Sequence, residues 1–116
     1  MDGLVQVVTT VSTRDEALAL AHEAVDARAA ACVQILGPIT SVYRWEGHVQ
    51  EESEYLLLAK VPRELGDALA AFLADRHPFE VPEIAVHAAD AVDPRYLAWA
   101  TEVTSGQETK PPPANQ

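Results

Sequence analysis

The order of apolar and polar positions predicts that the chain opens with a strand followed by a helix. Residues 4–11 (LVQVVTTV) are rich in β-branched side chains and nearly continuous in apolar character, which is typical of a central strand covered on at least one face. Thr13 and Glu16 then stand at the spacing of a capping box, which predicts the start of a helix. The apolar stripe that follows extends this helix to about Ala29.

The middle of the chain predicts a long β-hairpin. Residues 31–43 form a second predicted strand, which Gly37 and Pro38 interrupt with a bulge or an edge position. Gly47 supplies a turn, and residues 49–60 return as the third strand. Two arms of about 12 residues, at roughly 3.3 Å per residue, reach about 40 Å. A domain of this size is only about 35 Å across, so we expect the tip of the hairpin to project beyond the core.

The C-terminal half returns to helix and strand. Residues 63–75 predict a second amphipathic helix, residues 83–88 predict a short fourth strand, and Asp93 with Pro94 opens a C-terminal helix. The order strand, helix, strand, strand, helix, strand is that of a ferredoxin-like split βαβ sandwich. We therefore predict a mixed α/β (α+β) domain of this class, with the C-terminal helix added and all helices on one face of the sheet.

The amino-acid composition is typical of one folded domain with a negative net charge. We assign it to residues 1–103 and expect the Pro-rich segment 104–116 to be disordered. The 116 residues carry 8 Lys and Arg against 18 Asp and Glu, a formal charge of −10, which argues against binding of nucleic acid. The sequence contains no apolar run long enough to span a bilayer and opens with no signal-peptide pattern, so we expect a cytoplasmic protein without a membrane segment.

The projecting hairpin predicts self-association. Tyr43 and Trp45 lie near its tip and would face water in a single chain. A two-stranded ribbon is only marginally stable in water, and an exposed edge with aromatic side chains tends to pair with another chain. We therefore expect an oligomer in which a partner subunit covers the ribbon.

Four ordered motifs carry a resemblance to a known family. They are Ala31-Cys32-Val33, Ser41-Val42-Tyr43-Arg44-Trp45-Glu46-Gly47, His77-Pro78-Phe79-Glu80-Val81-Pro82-Glu83 and Tyr96-Leu97-Ala98-Trp99. From about Val5 to Val103 the chain resembles the CutA-type divalent-cation tolerance proteins. The resemblance implies a ferredoxin-like subunit, a homotrimer built by strand pairing between subunits, a cytoplasmic location, and a role in tolerance of copper and other divalent cations. Gln34 and Phe79 depart from the family pattern, which commonly has Asn and Tyr at these positions.

The motif after the second helix supplies candidate metal ligands. The imidazole of His77 and the carboxylates of Glu80 and Glu83 could meet at one loop, and imidazole suits copper, nickel and zinc. Cys32, the single cysteine, is a fourth candidate ligand, although one thiol excludes an intrachain disulfide and a multi-thiolate zinc motif. The structural alternative is that His77 ends the helix, the carboxylates are solvated and Cys32 packs in the core. Copper(II) or another divalent cation is therefore a candidate ligand, and no cofactor is obligatory.

Six further residues are candidates for a surface or cleft between subunits. They are Tyr43, Trp45, Glu54, Lys60, Tyr96 and Trp99. Large rings contribute much of the buried area in cores and interfaces, so interface packing is the first interpretation of the aromatic residues. The second is an inter-subunit cleft with apolar walls in which Lys60 and Glu54 are polar anchors.

Together with these patterns, the resemblance to the CutA-type proteins implies a trimeric, non-enzymatic protein that binds divalent cations and contributes to metal-ion tolerance. The alternatives are a small-ligand sensor similar to the PII proteins, which would use the inter-subunit clefts, and a signalling scaffold. The sequence places no Ser-His-Asp set, no paired catalytic acids and no metal triad, so we predict no enzymatic activity.

Overall fold

The computed structural model describes residues 3–106, which form four strands, three α-helices and a short 3₁₀ turn. The elements follow one another as β1 (Leu4–Val11), α1 (Arg14–Asp26), β2 (Cys32–Trp45), β3 (His48–Pro62), the 3₁₀ turn (Arg63–Leu65), α2 (Gly66–Arg76), β4 (Ile84–Ala88) and α3 (Pro94–Ser105). This is the predicted order of elements.

The four strands form one antiparallel sheet in the order β2-β3-β1-β4. The first strand is central: Val7 pairs with Ala59 of β3 on one side and with Val86 of β4 on the other. A sheet of this order with helices connecting the strands has the split βαβ arrangement of ferredoxin-like domains. The predicted fold class is confirmed.

The main hydrophobic core lies between one face of the sheet and helices α1 and α2. Side chains at alternate positions of a strand point to the same face, and the odd-numbered residues of β1 and β3 point to these helices. The largest fully buried apolar side chains are Val7, Val11, Leu57, Val61, Leu69 and Leu73. Each buried Val or Leu side chain contributes about 1.5–3 kcal/mol to the free energy of unfolding, so the positions of β1 and β3 are firmly fixed.

Helix α1 begins with the predicted capping box. The amide of Glu16 donates to Oγ1 of Thr13 at 3.1 Å, and the amide of Thr13 donates to Oε1 of Glu16 at 3.2 Å. The helix ends at Asp26, earlier than predicted, because Arg28 adopts a left-handed φ of 60°. The amide of Ala29 then donates back into the last turn, as in a Schellman motif.

Strands β2 and β3 form the long hairpin that the sequence predicts. Their register shifts at Gly37 and Pro38, which confirms a bulge there, and the peptide bond between these residues is cis. At the tip, Glu46 and Gly47 adopt φ values of 51° and 82°, as a two-residue type I′ turn requires. The described residues span 50 × 27 × 24 Å, and residues 42–49 of the hairpin are mostly exposed. The hairpin therefore projects from the body of the domain.

The second helical segment is divided in two. The chain forms a 3₁₀ turn over Arg63–Leu65 and enters α2 at Gly66, whereas the sequence predicts one continuous helix over residues 63–75. A Cβ atom at Gly66 would lie 2.9 Å from Cγ2 of Val5. A side chain at this position would therefore push α2 away from β1.

Helix α3 packs away from the other two helices. Its Ala100 forms a small buried cluster with Leu4 and Ala31 at one end of the sheet. Its Tyr96 contacts Cys32, which points to the sheet face opposite α1 and α2. The prediction that all helices share one face is thus wrong for α3.

The end of α3 extends past the predicted domain boundary at residue 103. The helix continues to Ser105 and is followed by Gly106 in a left-handed conformation with a φ of 79°. Residues 107–116 of the predicted Pro-rich tail lie outside the described residues.

Candidate functional site

A groove of about 610 Å³ lies where the hairpin leaves the sheet. One wall is the hairpin, the other is the loop between α2 and β4, and the end of β1 lies between them. The hairpin contributes Ser41, Tyr43, Trp45, Glu52 and Glu54, and the loop contributes Pro78, Phe79, Glu80, Val81 and Glu83. The groove therefore joins two sequence motifs that are more than thirty residues apart.

Strand alternation explains why these hairpin residues share one wall. Ser41, Tyr43 and Trp45 are alternate residues of β2, and Glu52 lies directly opposite Ser41 on β3. Residues two apart on a strand point to the same face, and paired residues of neighbouring strands do as well. The register of the hairpin thus places two aromatic rings beside the carboxylates.

The groove is acidic. Four carboxylates line it, those of Glu52, Glu54, Glu80 and Glu83, and its lining contains no Lys or Arg. The hydroxyl of Ser41 donates to Oε1 of Glu54 at 2.6 Å. The ion pairs of Arg76 with Asp75 and of Arg95 with Asp93 include no residue of the groove's lining. A field of this sign attracts cations and repels anions.

His77 lies behind the groove with both ring nitrogens engaged. The amide of Phe79 donates to Nδ1 at 3.1 Å, so Nδ1 carries a lone pair and the proton of the neutral ring is on Nε2. Nε2 lies 2.9 Å from the carbonyl oxygen of Thr10 and 2.9 Å from Oγ1 of Thr9. Burial lowers the pKa of His77, and this outweighs the Thr10 hydrogen bond and the charges of Glu16 and Glu54, which raise it. His77 therefore acts as a neutral tie between the loop and β1.

Cys32 lies at the other end of the sheet. Its strand partner is Lys60, whose Nζ donates to Oε1 of Gln34, and the phenol of Tyr96 lies beside the Cys32 side chain. The pKa of Tyr96 is raised to about 12. Burial is the main cause, and interaction with Cys32 adds to it. The rings of Tyr96 and Trp99 are 5.6 Å apart.

The structure separates the predicted metal ligands within one chain. Glu80 and Glu83 line the groove, whereas the His77 ring is hydrogen-bonded to backbone groups beside it. Cys32 lies at the far end of the sheet. In the part of the chain that the structure describes, no three His, Cys, Asp or Glu side chains are arranged to hold a metal ion. The four candidates would need a rearrangement, or a second chain, to act together.

The predicted cleft residues fall into two groups within one chain. Tyr43, Trp45 and Glu54 line the acidic groove, whereas Lys60, Tyr96 and Trp99 lie at the α3 end. The two groups thus lie at opposite ends of one chain.

Sequence reasoning missed two features of the groove. Glu52 is not among the candidate residues identified from the sequence, and Thr9 and Thr10 are predicted only as part of the first strand. Glu52 and Glu54 are two residues apart on β3, so they point to the same face, and Glu52 pairs with Ser41. Knowledge of the hairpin register would therefore have placed Glu52 beside the aromatic residues. No sequence signal pairs Thr10 with His77, 67 residues away.

Between the two ends, the sheet face opposite α1 and α2 has an apolar centre. Leu56 and Leu58 of β3 and Val8 of β1 are only partly buried there, and Leu36 of β2 is 47% exposed. A face of this kind on a single chain marks an interaction surface.

The sequence and fold match known proteins over nearly the whole described region. The family model of the CutA1 divalent ion tolerance protein matches residues 5–103. The chain belongs to the CutA1 family. The divalent-cation tolerance protein CutA of Thermus thermophilus is 38% identical over 98 residues, which is 84% of this chain and 95% of that protein. The structure of CutA from Synechococcus elongatus has a TM-score of 0.84 and 39% identity, covering 90% of this chain and 92% of that one.

Some CutA relatives are longer. Mouse protein CutA is 39% identical over 85 residues, 73% of this chain, but this chain spans only 48% of its length. The names of the relatives mention different compartments. The relative from Arabidopsis thaliana is called chloroplastic, and the one from Archaeoglobus fulgidus is called periplasmic. Among residues 3–106 of this CutA1-family chain, no helix is both long and apolar enough to cross a bilayer.

Proposed function

We propose that this CutA1-family chain is a homotrimeric divalent-cation tolerance protein that binds divalent metal ions in its acidic groove. The observation that supports this most strongly is the grouping of Glu52, Glu54, Glu80 and Glu83 around one groove whose lining has no basic residue. The family match supports the tolerance function. We retain the cytoplasm as the proposed compartment. A chain with a single cysteine forms no intrachain disulfide and so does not need an oxidising compartment.

Carboxylate oxygens are the proposed ligands. Glu80 and Glu83 stand on the loop wall and Glu52 and Glu54 on the hairpin wall, and these side chains would have to move toward one another to hold one ion. Oxygen donors suit ions such as Mg²⁺ and Mn²⁺, whereas copper(II) gains from imidazole. The imidazole of His77 is hydrogen-bonded to the backbone of Thr10 and Phe79. We therefore propose that copper(II) either binds through carboxylates alone or binds His77 after these hydrogen bonds break.

The open sheet face supports the proposed trimer. Its apolar centre lies between the acidic hairpin end and the end that carries Lys60, so head-to-tail contact would bring opposite charges together. A head-to-tail interface forms a ring where its rotation closes, and we propose that it closes here with three copies. The projecting hairpin, with Trp45 43% exposed, would reach a neighbouring subunit.

Calorimetric titration of the full chain with Mn²⁺, Zn²⁺ and Cu²⁺ tests metal binding, with the mass measured by light scattering. We expect saturable binding that the double variant Glu80→Gln/Glu83→Gln weakens at least tenfold. The matched control is Glu64→Gln/Asp67→Asn, which also removes two negative charges, but from exposed positions in the 3₁₀ turn and the first turn of α2. His77→Gln distinguishes the two copper arrangements: if His77 is a ligand, the variant weakens Cu²⁺ binding more than Mn²⁺ binding, whereas if His77 only positions the loop, it weakens both equally.

Two results would contradict the proposal. Equal weakening by the groove variant and the control would mean that only the overall charge attracts metal. An absence of saturable binding by a well-folded trimer would exclude the groove as a metal site.

A second candidate function is the sensing of a small ligand. The groove's volume of about 610 Å³ falls in the range of about 300–1,000 Å³ that is typical of small-molecule sites. The negative charge of its lining disfavours nucleotides and other anions as ligands.

A further inference from the structure

A second cavity, of about 280 Å³, lies between the end of α1 and helix α3. Its apolar lining includes Val25 of α1 together with Trp99 and Val103 of α3. Val25 is apolar but 42% exposed. The cavity's two charged lining residues are Asp26 and Arg28. The cavity thus combines apolar walls with one acidic and one basic side chain.

The indole N–H of Trp99 lacks an acceptor. Within residues 3–106, Nε1 of Trp99 is buried and has no hydrogen-bond partner. A buried donor without an acceptor is costly, because it has lost its hydrogen bonds to water and gained none in return. The ring of Trp99 therefore offers an apolar surface for packing and a donor that an additional carbonyl oxygen would satisfy.

The described part of the chain ends at the rim of this cavity. Gly106 follows α3 in a left-handed conformation with a φ of 79°, which ends the helix and turns the chain away from its axis. A Cβ atom at Gly106 would lie 3.7 Å from Cδ of Arg28, which lines the cavity. Trp99 is seven residues back, about 10 Å along a helix that rises 1.5 Å per residue. Residues 107–113, at about 3.1 Å each in an extended polyproline conformation, reach about 22 Å and are long enough to fold back over Trp99.

The sequence of this segment matches the cavity in chemistry. Residues 107–113 read QETKPPP. Proline-rich segments dock against aromatic side chains because their conformation is preformed and little entropy is lost. Proline brings a carbonyl acceptor but no N–H that would itself need a partner. Glu108 and Lys110 are opposite in sign to Arg28 and Asp26 of the cavity lining.

We propose that residues 111–113 of the same chain pack into this cavity against Trp99, with Lys110 paired to Asp26. The segment would then hold α3 against α1, in place of the disorder that its composition predicts. One wall of the cavity belongs to α1, which covers the sheet face opposite the proposed subunit interface. Subunits that meet through the open face leave that wall uncovered. This inference goes beyond the proposed function and depends neither on metal binding nor on the trimer.

Trp99 itself reports on the test. In the full chain with Trp45→Phe, Trp99 is the single tryptophan, and quenching of its fluorescence by acrylamide measures how far it is exposed. The proline variant in this background is Pro111→Ser/Pro112→Ser/Pro113→Ser. Its matched control changes three other uncharged residues of the same segment: Gln107→Ser/Thr109→Ser/Asn115→Ser. Circular dichroism checks that each variant has the secondary structure of the parent chain.

We expect the proline variant to raise the acrylamide quenching constant at least twofold and the control variant to leave it unchanged. Lys110→Glu should also raise the quenching constant, because it places a second negative charge beside Asp26. Adding Asp26→Lys to this variant should lower the constant again, since the exchanged pair has opposite signs. A basic residue also suits the last turn of α1.

Three outcomes would overturn the inference. Equal quenching of the parent chain and the proline variant would mean that the prolines do not cover Trp99. Equal effects of the proline variant and the control variant would mean that the prolines have no special contact with the ring. A quenching constant of the parent chain that rises on dilution would mean that a second copy, and not the chain's own segment, covers Trp99.

Discussion

The imidazole Nε2 of His77 lies 2.9 Å from the carbonyl oxygen of Thr10, which ties the end of α2 to the end of β1. The same ring accepts a hydrogen bond from the amide of Phe79 through Nδ1. One neutral side chain thus connects the second helix, the loop that lines the groove, and the central strand. Its contacts indicate a structural role for His77.

Replacing His77 should destabilise the fold. His77→Ala removes the hydrogen bonds to Thr10 and Phe79 and leaves both backbone groups without their present partner. We expect the free energy of unfolding to fall by about 1–3 kcal/mol, measured by urea denaturation at about pH 7.5. His77→Gln keeps a side-chain N–H donor and should lose less. Equal stability of His77→Ala and the parent chain would contradict this role.

The contribution of His77 should also depend on pH. Its pKa in the folded chain is below 6.5, the ordinary value, so the folded state binds fewer protons than the unfolded state. The stabilisation is therefore fully present above about pH 6.5 and is lost as the pH falls from there toward the lowered pKa. The parent chain should lose more stability between about pH 7.5 and 5.5 than His77→Ala does. Identical losses would mean that His77 does not titrate in this way.

The capping box of α1 gives a third prediction. Thr13→Ala removes the acceptor for the amide of Glu16, and we expect a loss of about 1 kcal/mol in the free energy of unfolding. Thr13→Ser keeps the hydroxyl and serves as the control, with little expected change. Equal effects of the two substitutions, measured by urea denaturation, would show that the hydrogen bond contributes nothing.

Sequence patterns located the elements better than they located contacts between them. Strand β1 has the predicted bounds, because β-branched residues fill it from Leu4 to Val11. The apolar side chains of α3 identify the helix, but they do not say which sheet face it covers, since both faces of the sheet offer apolar partners. The end of α1 was predicted three residues late because Arg28, unlike glycine, gives no warning of a left-handed conformation.

The candidate site was predicted only in parts. The aromatic hairpin motif and the acidic loop motif were both identified, but their meeting depends on the contact between His77 and Thr10, which no local pattern encodes. The separation of Cys32 from the groove likewise follows from the strand register. Side-chain chemistry is local information, whereas the pairing of distant segments is decided by the packed fold.

The bulge of the hairpin gives a fourth prediction. A Cβ atom at Gly37 would overlap the ring of Tyr55, so Gly37→Ala should cost about 1–3 kcal/mol of unfolding free energy. Gly3→Ala is the control, because its Cβ would meet only the flexible side chain of Arg63, at 3.0 Å. Similar midpoints of urea denaturation for the two variants would show that the bulge can accommodate a methyl group.

The last prediction concerns assembly. Leu36 is 47% exposed in a single chain and shares the open sheet face with Leu56 and Leu58. Leu36→Glu places a charge in the apolar centre of this face, and an unpaired charge is costly to bury in an interface. We expect light scattering to show a monomer for this variant and a trimer for the parent chain. Leu65→Glu, at an exposed position of the 3₁₀ turn, adds the same charge elsewhere and should remain trimeric. A trimer for both variants would mean that the subunits meet through another surface, and the hairpin tip around Trp45 would then be the region to test.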